Sequence, residues 1–145
     1  TRLIDLGVPP YLINATVIGV LAQRLVRSLC PLCREPDPDC DARQLEAAMP
    51  GLVVNEAGAA FRPQRAVGCL DCRMTGYRGR IGLFELLLHN EAVRQAASGT
   101  PDLARIRREG LQQGMVPLRL AGLRKVAAGE TTLDEVLRST PAFER

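Results

Sequence analysis

Tryptophan is missing from this chain, histidine occurs once, at His89, and two Tyr and three Phe supply all of its aromatic surface. Single-stranded nucleic acid is bound largely by stacking bases on aromatic rings, so this scarcity argues against that class of ligand. No charged leader with a short apolar segment is present, and no apolar run approaches the roughly 20 residues that cross a bilayer. Neither export nor membrane insertion is therefore expected. Lysine is nearly absent as well: of 19 Lys and Arg residues only Lys125 is a lysine, against 16 acidic residues, for a net charge of +3. The cationic side chain of choice is thus the guanidinium, which suits two-pronged pairing with carboxylate or phosphate. What the chain does have is 46% hydrophobic residues over 145 positions, enough for one folded domain or two small ones.

Cysteine is the informative residue. Four of the five form two C-x-x-C pairs, Cys30-Pro31-Leu32-Cys33 and Cys69-Leu70-Asp71-Cys72. Two intervening residues let both sulfurs of a pair turn to one side, and Gly68 allows the tight backbone before the second pair. Together the four thiolates make a closed tetrahedral cage for one zinc ion. A disulfide reading needs an oxidising compartment that nothing here indicates. A thioredoxin-like pair would leave the second C-x-x-C without a role. The 35 residues between the pairs exceed the usual ribbon spacing of about 15 to 20. With four protein ligands no position stays open for water or substrate, so the predicted metal is structural. Cys40 lies among Asp37, Asp39 and Asp41, whose charges raise a thiol pKa, and is expected to be a free, inert thiol.

Periodicity sets the framework around the cage. Residues 1–6 read as a helix end closed by Gly7, and Pro9-Pro10 opens a short helix to about Ala15. Alternation over Gly19–Leu29 predicts a strand running into Cys30, with Arg24 and Arg27 on opposite faces. Between the pairs, 41–49 suits a short helix, while Leu52-Val53-Val54 and Phe61-Arg62-Pro63 suggest extended chain. A second strand over Arg80–Leu88 is expected to pair antiparallel with the first, and Glu85 to serve an arginine of that partner strand. His89 marks a turn. Helices follow with Asn90 as cap and Gly99 as stop, then Thr100 capping a helix that opens on Pro101. Leu103, Ile106 and Leu111 are predicted to share its buried face. Gly114 ends it, 118–128 forms the next helix, and Thr132-x-x-Glu135 reads as a capping box for a last one in which Leu133, Val136 and Leu137 face inward. Arg34, Arg73 and Arg78 are near enough in sequence to offset the cage's charge, and the Arg105, Arg107, Arg108 cluster reads as a solvated helix face.

Two stretches carry more than spacing. Val20-Leu21-Ala22-Gln23-Arg24-Leu25-Val26-Arg27-Ser28-Leu29-Cys30-Pro31-Leu32-Cys33 and Gly68-Cys69-x-x-Cys72-x-x-Thr75-Gly76-Tyr77-Arg78-Gly79-Arg80-Ile81-Gly82-Leu83-Phe84-Glu85-Leu86-Leu87, each including a C-x-x-C pair, closely resemble the C-terminal region of type II secretion ATPases and the related type IV pilus assembly ATPases. The opening Thr1-Arg2-Leu3-Ile4-Asp5-Leu6-Gly7-Val8 and the tail Gly129-Glu130-Thr131-Thr132-Leu133-Asp134-Glu135-Val136-Leu137-Arg138 extend the resemblance over nearly the whole chain, the 34–68 segment being longer and richer in Pro and Ala than expected.

The resemblance implies a mixed α/β fold: the C-terminal end of a RecA-like P-loop ATPase core at 1–29, a tetracysteine zinc subdomain at 30–78, a return strand at 79–89 and a small helical bundle at 90–145. It implies a cytoplasmic homohexamer, peripheral to the inner membrane of a Gram-negative-type bacterium, that works with inner-membrane secretion platform proteins. Its ATP and Mg²⁺ would sit in a longer parent, because no G-x-x-x-x-G-K-[ST] sequence occurs in these residues. The fragment is accordingly expected to have no catalytic residues of its own. The metal ligands are Cys30, Cys33, Cys69 and Cys72, and Arg24 and Arg27 are candidates for a nucleotide or a neighbouring subunit. The competing reading is an independent zinc ribbon that binds nucleic acid or a protein.

Overall fold

The computed structural model describes residues 2–48, 61–98 and 101–142. Helix α1, Arg2–Asp5, closes as the glycine predicts: Gly7 adopts φ 87°, its N–H donates to Ile4 O at 2.8 Å, and the next N–H, of Val8, donates to Leu3 O at 3.0 Å. These paired bonds satisfy carbonyls that the helix end would leave bare. Helix α2, Pro10–Thr16, starts with Pro10, whose missing N–H costs nothing in a first turn. Strand β1 spans Gly19–Leu29 as expected.

Beyond Cys30 the elements become short. Strand β2, Glu35–Pro36, precedes helix α3, Ala42–Ala48, where Asp41 Oδ1 accepts from Gln44 N–H at 2.9 Å. The ladder forms directly after the extended stretch expected at Phe61–Pro63. Strand β3, Gln64–Arg65, pairs antiparallel with β2 in the register Glu35 to Arg65 and Pro36 to Gln64. The predicted Leu52–Val54 segment, Gly99 and Thr100 lie outside the described residues.

Strand β4 runs Tyr77–Leu88, three residues earlier at its start than the apolar pattern indicates, and pairs with β1. Bonds from His89 N–H to Ile18 O and from Cys30 N–H to Gly76 O flank the ladder and show it to be antiparallel. Helices α4, Glu91–Ala97, α5, Leu103–Gln112, α6, Leu118–Ala127, and α7, Leu133–Ser139, complete the described elements. Asn90 caps α4 through Val93 N–H as expected. Helix α5 starts later than predicted, because Asp102 takes the cap: its carboxylate accepts from Arg105 N–H, leaving Pro101 outside the helix.

The chain divides into two compact units, Thr1–Ala22 with Glu85–Val116, and Gln23–Phe84 with Pro117–Arg145. Two of the three boundaries fall within β1 and β4, and the third between α5 and α6. In the first unit α4 packs on α5, and His89 is buried with its ring Nε2 3.2 Å from Asn14 Oδ1. Leu103 departs from the expected core: it is 63% exposed, because Asp102 puts it at the first residue of α5. In the second unit α6 packs on α7 around Leu123 and Val136, both wholly buried. Gly122 permits this approach, since a Cβ there would stand 2.5 Å from Val136 Cγ1 and 3.1 Å from Leu83 Cδ1. Leu137, expected inside, is 38% exposed, because the buried face of α7 runs instead through Glu135 and Val136.

Candidate metal centre

The end of β1 delivers Cys30 into a tight turn in which Cys33 and Arg34 N–H both bond back to Cys30 O. The second pair forms a longer turn. Met74 N–H returns to Cys69 O at 2.8 Å, with Arg73 and Met74 both in the left-handed region, at φ 54° and 61°. Gly68, at φ 122°, precedes it where a side chain would collide with Met74 O at 2.9 Å. A left-handed residue other than glycine is costly, and two in succession persist only where the surroundings fix them. Here they turn backbone N–H groups onto sulfur: Gly68 N–H to Cys33 Sγ at 3.3 Å, and Cys69 and Gly76 N–H to Cys72 Sγ at 3.2 Å each.

The turns bring the four sulfurs of Cys30, Cys33, Cys69 and Cys72 within 4.8 Å of one another. Cys30 and Cys69 stand 3.9 Å apart, Cys33 and Cys72 3.8 Å, and Cys69 and Cys72 3.7 Å. A tetrahedron with zinc–sulfur bonds of about 2.3 Å has edges of about 3.8 Å. A disulfide needs about 2.05 Å, so the spacing fits a four-thiolate ion and excludes bonds between these pairs in this state. The N–H donors aimed at sulfur add to the fit, because thiolates, unlike thiols, gain strongly from such bonds.

Burial pushes the Cys72 thiol up, but the N–H groups of Cys69 and Gly76 and its sulfur neighbours outweigh this and bring it down to about 6. Cys33 moves the other way, to about 12, first through burial and then through bonds to the neighbouring sulfurs that favour its thiol. Four sulfurs this close cannot all ionise in the absence of a cation, and a divalent ion removes that limit.

Of the arginines expected to offset the cage, Arg78 pairs with Asp71, inside the second turn, and Arg34 Nη1 donates to Gly129 O at 2.9 Å. Arg73 is exposed. Arg24 is exposed on β1. Arg27 is engaged within the chain, its Nη2 2.8 Å from Glu135 Oε1 and its guanidinium 4.0 Å above the Tyr77 ring, while 46% of its side chain remains exposed. Cys40 is buried and stands outside the cluster of four, lining an open cavity of about 400 Å³ with Asp37, Arg65, Tyr77 and Thr132. Burial first, then Asp37 and Asp41, push its thiol up, as the sequence indicates.

Sequence reasoning missed Glu135. Only half of the capping box forms: Thr132 Oγ1 accepts from Glu135 N–H at 3.5 Å, but the Glu135 carboxylate turns to Arg27, accepting its backbone N–H at 2.9 Å, and pairs with Arg138. Burial alone would raise the carboxyl pKa, yet the bonds from Arg27 and the charges of Arg27 and Arg138 bring it below the usual range. The available signal was an acid on the apolar face of a helix, which a buried position forces to find a cation.

A family model described as Type II/IV secretion system protein matches residues 1–138. The chain belongs to that family. Among relatives of this secretion family, the type IV pilus assembly ATPase TfpB of Acinetobacter baylyi is 44% identical over 141 residues, covering 97% of this chain and 23% of that protein. Type II secretion system protein E is 42% identical over 143 residues in Aeromonas hydrophila and 40% over 140 in Pseudomonas aeruginosa, each alignment covering 97% of this chain and 26% of the relative. The chain thus spans about a quarter of the length of these secretion proteins. No helix among its described residues is long and apolar enough to cross a membrane.

Proposed function

We propose that these residues are the C-terminal part of a cytoplasmic, homohexameric secretion ATPase that powers type II protein secretion by driving pseudopilus assembly. Within it, Cys30, Cys33, Cys69 and Cys72 hold a structural Zn²⁺. The observation that carries the metal assignment is the sulfur tetrahedron, three of whose edges measure 3.7 to 3.9 Å. When bound, zinc would supply a fixed cross-link between two stretches of chain 35 residues apart in sequence. All four ligands are protein sulfurs, so the ion is held for shape and not for chemistry.

On this reading residues 1–29 and 79–89 belong to the end of a RecA-like core, 30–78 to the metal subdomain and 90–145 to the helical part. ATP and Mg²⁺ bind elsewhere in the parent, inner-membrane platform proteins receive the movement, and Arg24, exposed on β1, meets a nucleotide or a neighbouring subunit. Arg27, held by Glu135, contributes through its exposed edge.

Metal analysis of the purified, reduced chain tests the reading. One equivalent of zinc is expected, and a strong chelator should release it while exposing the four ligand thiols; Cys40, buried with a raised pKa, reacts slowly while the metal is bound. A metal-free protein that keeps its fold would sink the assignment. For the motor, the full-length parent should hydrolyse ATP and sediment as a hexamer, and a parent that does neither rejects that part.

A further inference from the structure

Residues 127–135 lie along the segments that carry the cysteines. Ala127 O accepts from Arg62 N–H at 2.7 Å, and Glu130 O from Leu29 N–H at 2.9 Å. Gly129 O accepts from the Arg34 guanidinium, and Thr131, with no exposed surface, donates its hydroxyl to Arg27 O at 2.8 Å. Leu29 immediately precedes Cys30 and Arg34 immediately follows Cys33, so the first C-x-x-C turn is gripped one residue outside each of its ligands. At Gly129, φ 73°, a side chain would collide with Arg62 O and the Gln64 side chain, both 2.6 Å from where a Cβ would stand, so the segment also packs on the strand leading to the second pair. Glu135 completes the grip from the first turn of α7, binding both the backbone and the guanidinium of Arg27 three residues ahead of Cys30.

We infer that Glu135 and the 127–131 segment are positioning elements of the metal site, so that zinc binding and the docking of α7 stabilise each other. The inference rests on the reading of the cage as a zinc site. Its physical basis is linkage. A buried carboxylate that holds β1 in place limits how far Cys30 can stray when the metal leaves, and a bound ion that fixes Cys30 and Cys33 holds the backbone groups on which 127–135 is seated. Whatever free energy one event contributes to the other must be returned in the reverse direction.

The test uses the whole chain and zinc itself. Competition with a chromophoric chelator should show zinc held about tenfold more weakly in Glu135→Gln, within the span usual for coupled sites, and unchanged in Arg105→Ala, an exposed position on α5. A folded Glu135→Gln protein with unaltered affinity overturns the inference. Hydrogen exchange on the unsubstituted protein gives a reading that does not depend on a variant folding. Stripping zinc should speed exchange in 131–139 along with 30–34. If amides of 131–139 stay equally protected after stripping, the coupling is refuted although the metal site stands. A protein that takes up no zinc fails earlier, at the metal analysis, and refutes the site and the coupling together.

Discussion

The two compact units solve the problem of a small core in opposite ways. Among the described residues, thirteen of the fifteen buried apolar side chains, cysteines included, belong to the second unit, and only Val93 and Ala96 to the first. The first unit exposes much of what it has, with Ile18 at 86%, Tyr11 at 75% and Leu6 at 67%. The second adds to its apolar centre a buried polar set, Thr131, Glu135 and Thr140, and the sulfur cage. Between Cys30 and Gly76 the described elements are two two-residue strands and one short helix, which bury too little apolar surface to offset the entropy of ordering them. On the proposed reading, cross-linking by metal and anchoring by buried hydrogen bonds to α7 supply the difference. Among its described residues the first unit has no cysteine cluster, and it relies on the packed, capped pair α4 and α5 and on the buried polar contact of His89 with Asn14.

The largest expected contrast comes from Cys69→Ser. Zinc contributes on the order of 10 to 16 kcal/mol in isolated zinc-finger peptides, as much as the whole stability of an ordinary domain. Limited proteolysis should therefore open the second unit, α6 and α7 included, while 91–112 resists. Equal loss in both units would break the comparison, and no loss would remove its metallic half. Leu123→Ala, at a wholly buried position between α6 and α7, should cost about 2 to 5 kcal/mol by denaturant titration.

Acid should separate the units by pH window. Burial first, and Arg94 second, lower the pKa of His89, so the unfolded chain takes up its proton at higher pH than the folded one. The stability this histidine lends the first unit is complete above its ordinary value of about 6.5 and declines as pH falls through the folded value below it. Glu135 is also lowered, so its contribution to the second unit is intact above about 4.3 and is lost as pH falls through its depressed folded value. Following His89 and Glu135 resonances through a titration, with stability measured at each pH, should show two separate declines. A single shared decline near neutrality would contradict the assignment. The smallest effect belongs to Leu103→Ser in the first unit: at 63% exposure it should shift stability by no more than about 0.5 kcal/mol.

Local chemistry made much of this legible in advance. Strand β1 matched its predicted limits because alternation and the cysteine after it mark both the element and its end. Gly7, Gly114 and Gly129 were readable as helix stops and all adopt positive φ. Asn90 was readable as a cap, and the four cage cysteines as a set. Where the reading went astray, two local signals competed or a distant partner intervened. Thr100-Pro101 offers a respectable helix start, but Asp102 offers a stronger one. Glu135 fits a capping box, but a charged guanidinium is a better partner for a buried carboxylate than its own helix's N–H. Leu137 fits an apolar face whose angle was set by Glu135 instead.

By itself the sequence determined which residues turn, which cap and which carry sulfur, because these depend on φ preference, on hydrogen bonds spanning three or four residues and on two-residue spacing. Tertiary structure alone decided that α6 and α7 join the cysteine-bearing unit while α4 and α5 join the other, and that Glu135 answers Arg27 across 108 positions. Such pairings are chosen by which buried charges and bare backbone groups find partners when the chain closes, and no local pattern encodes that choice.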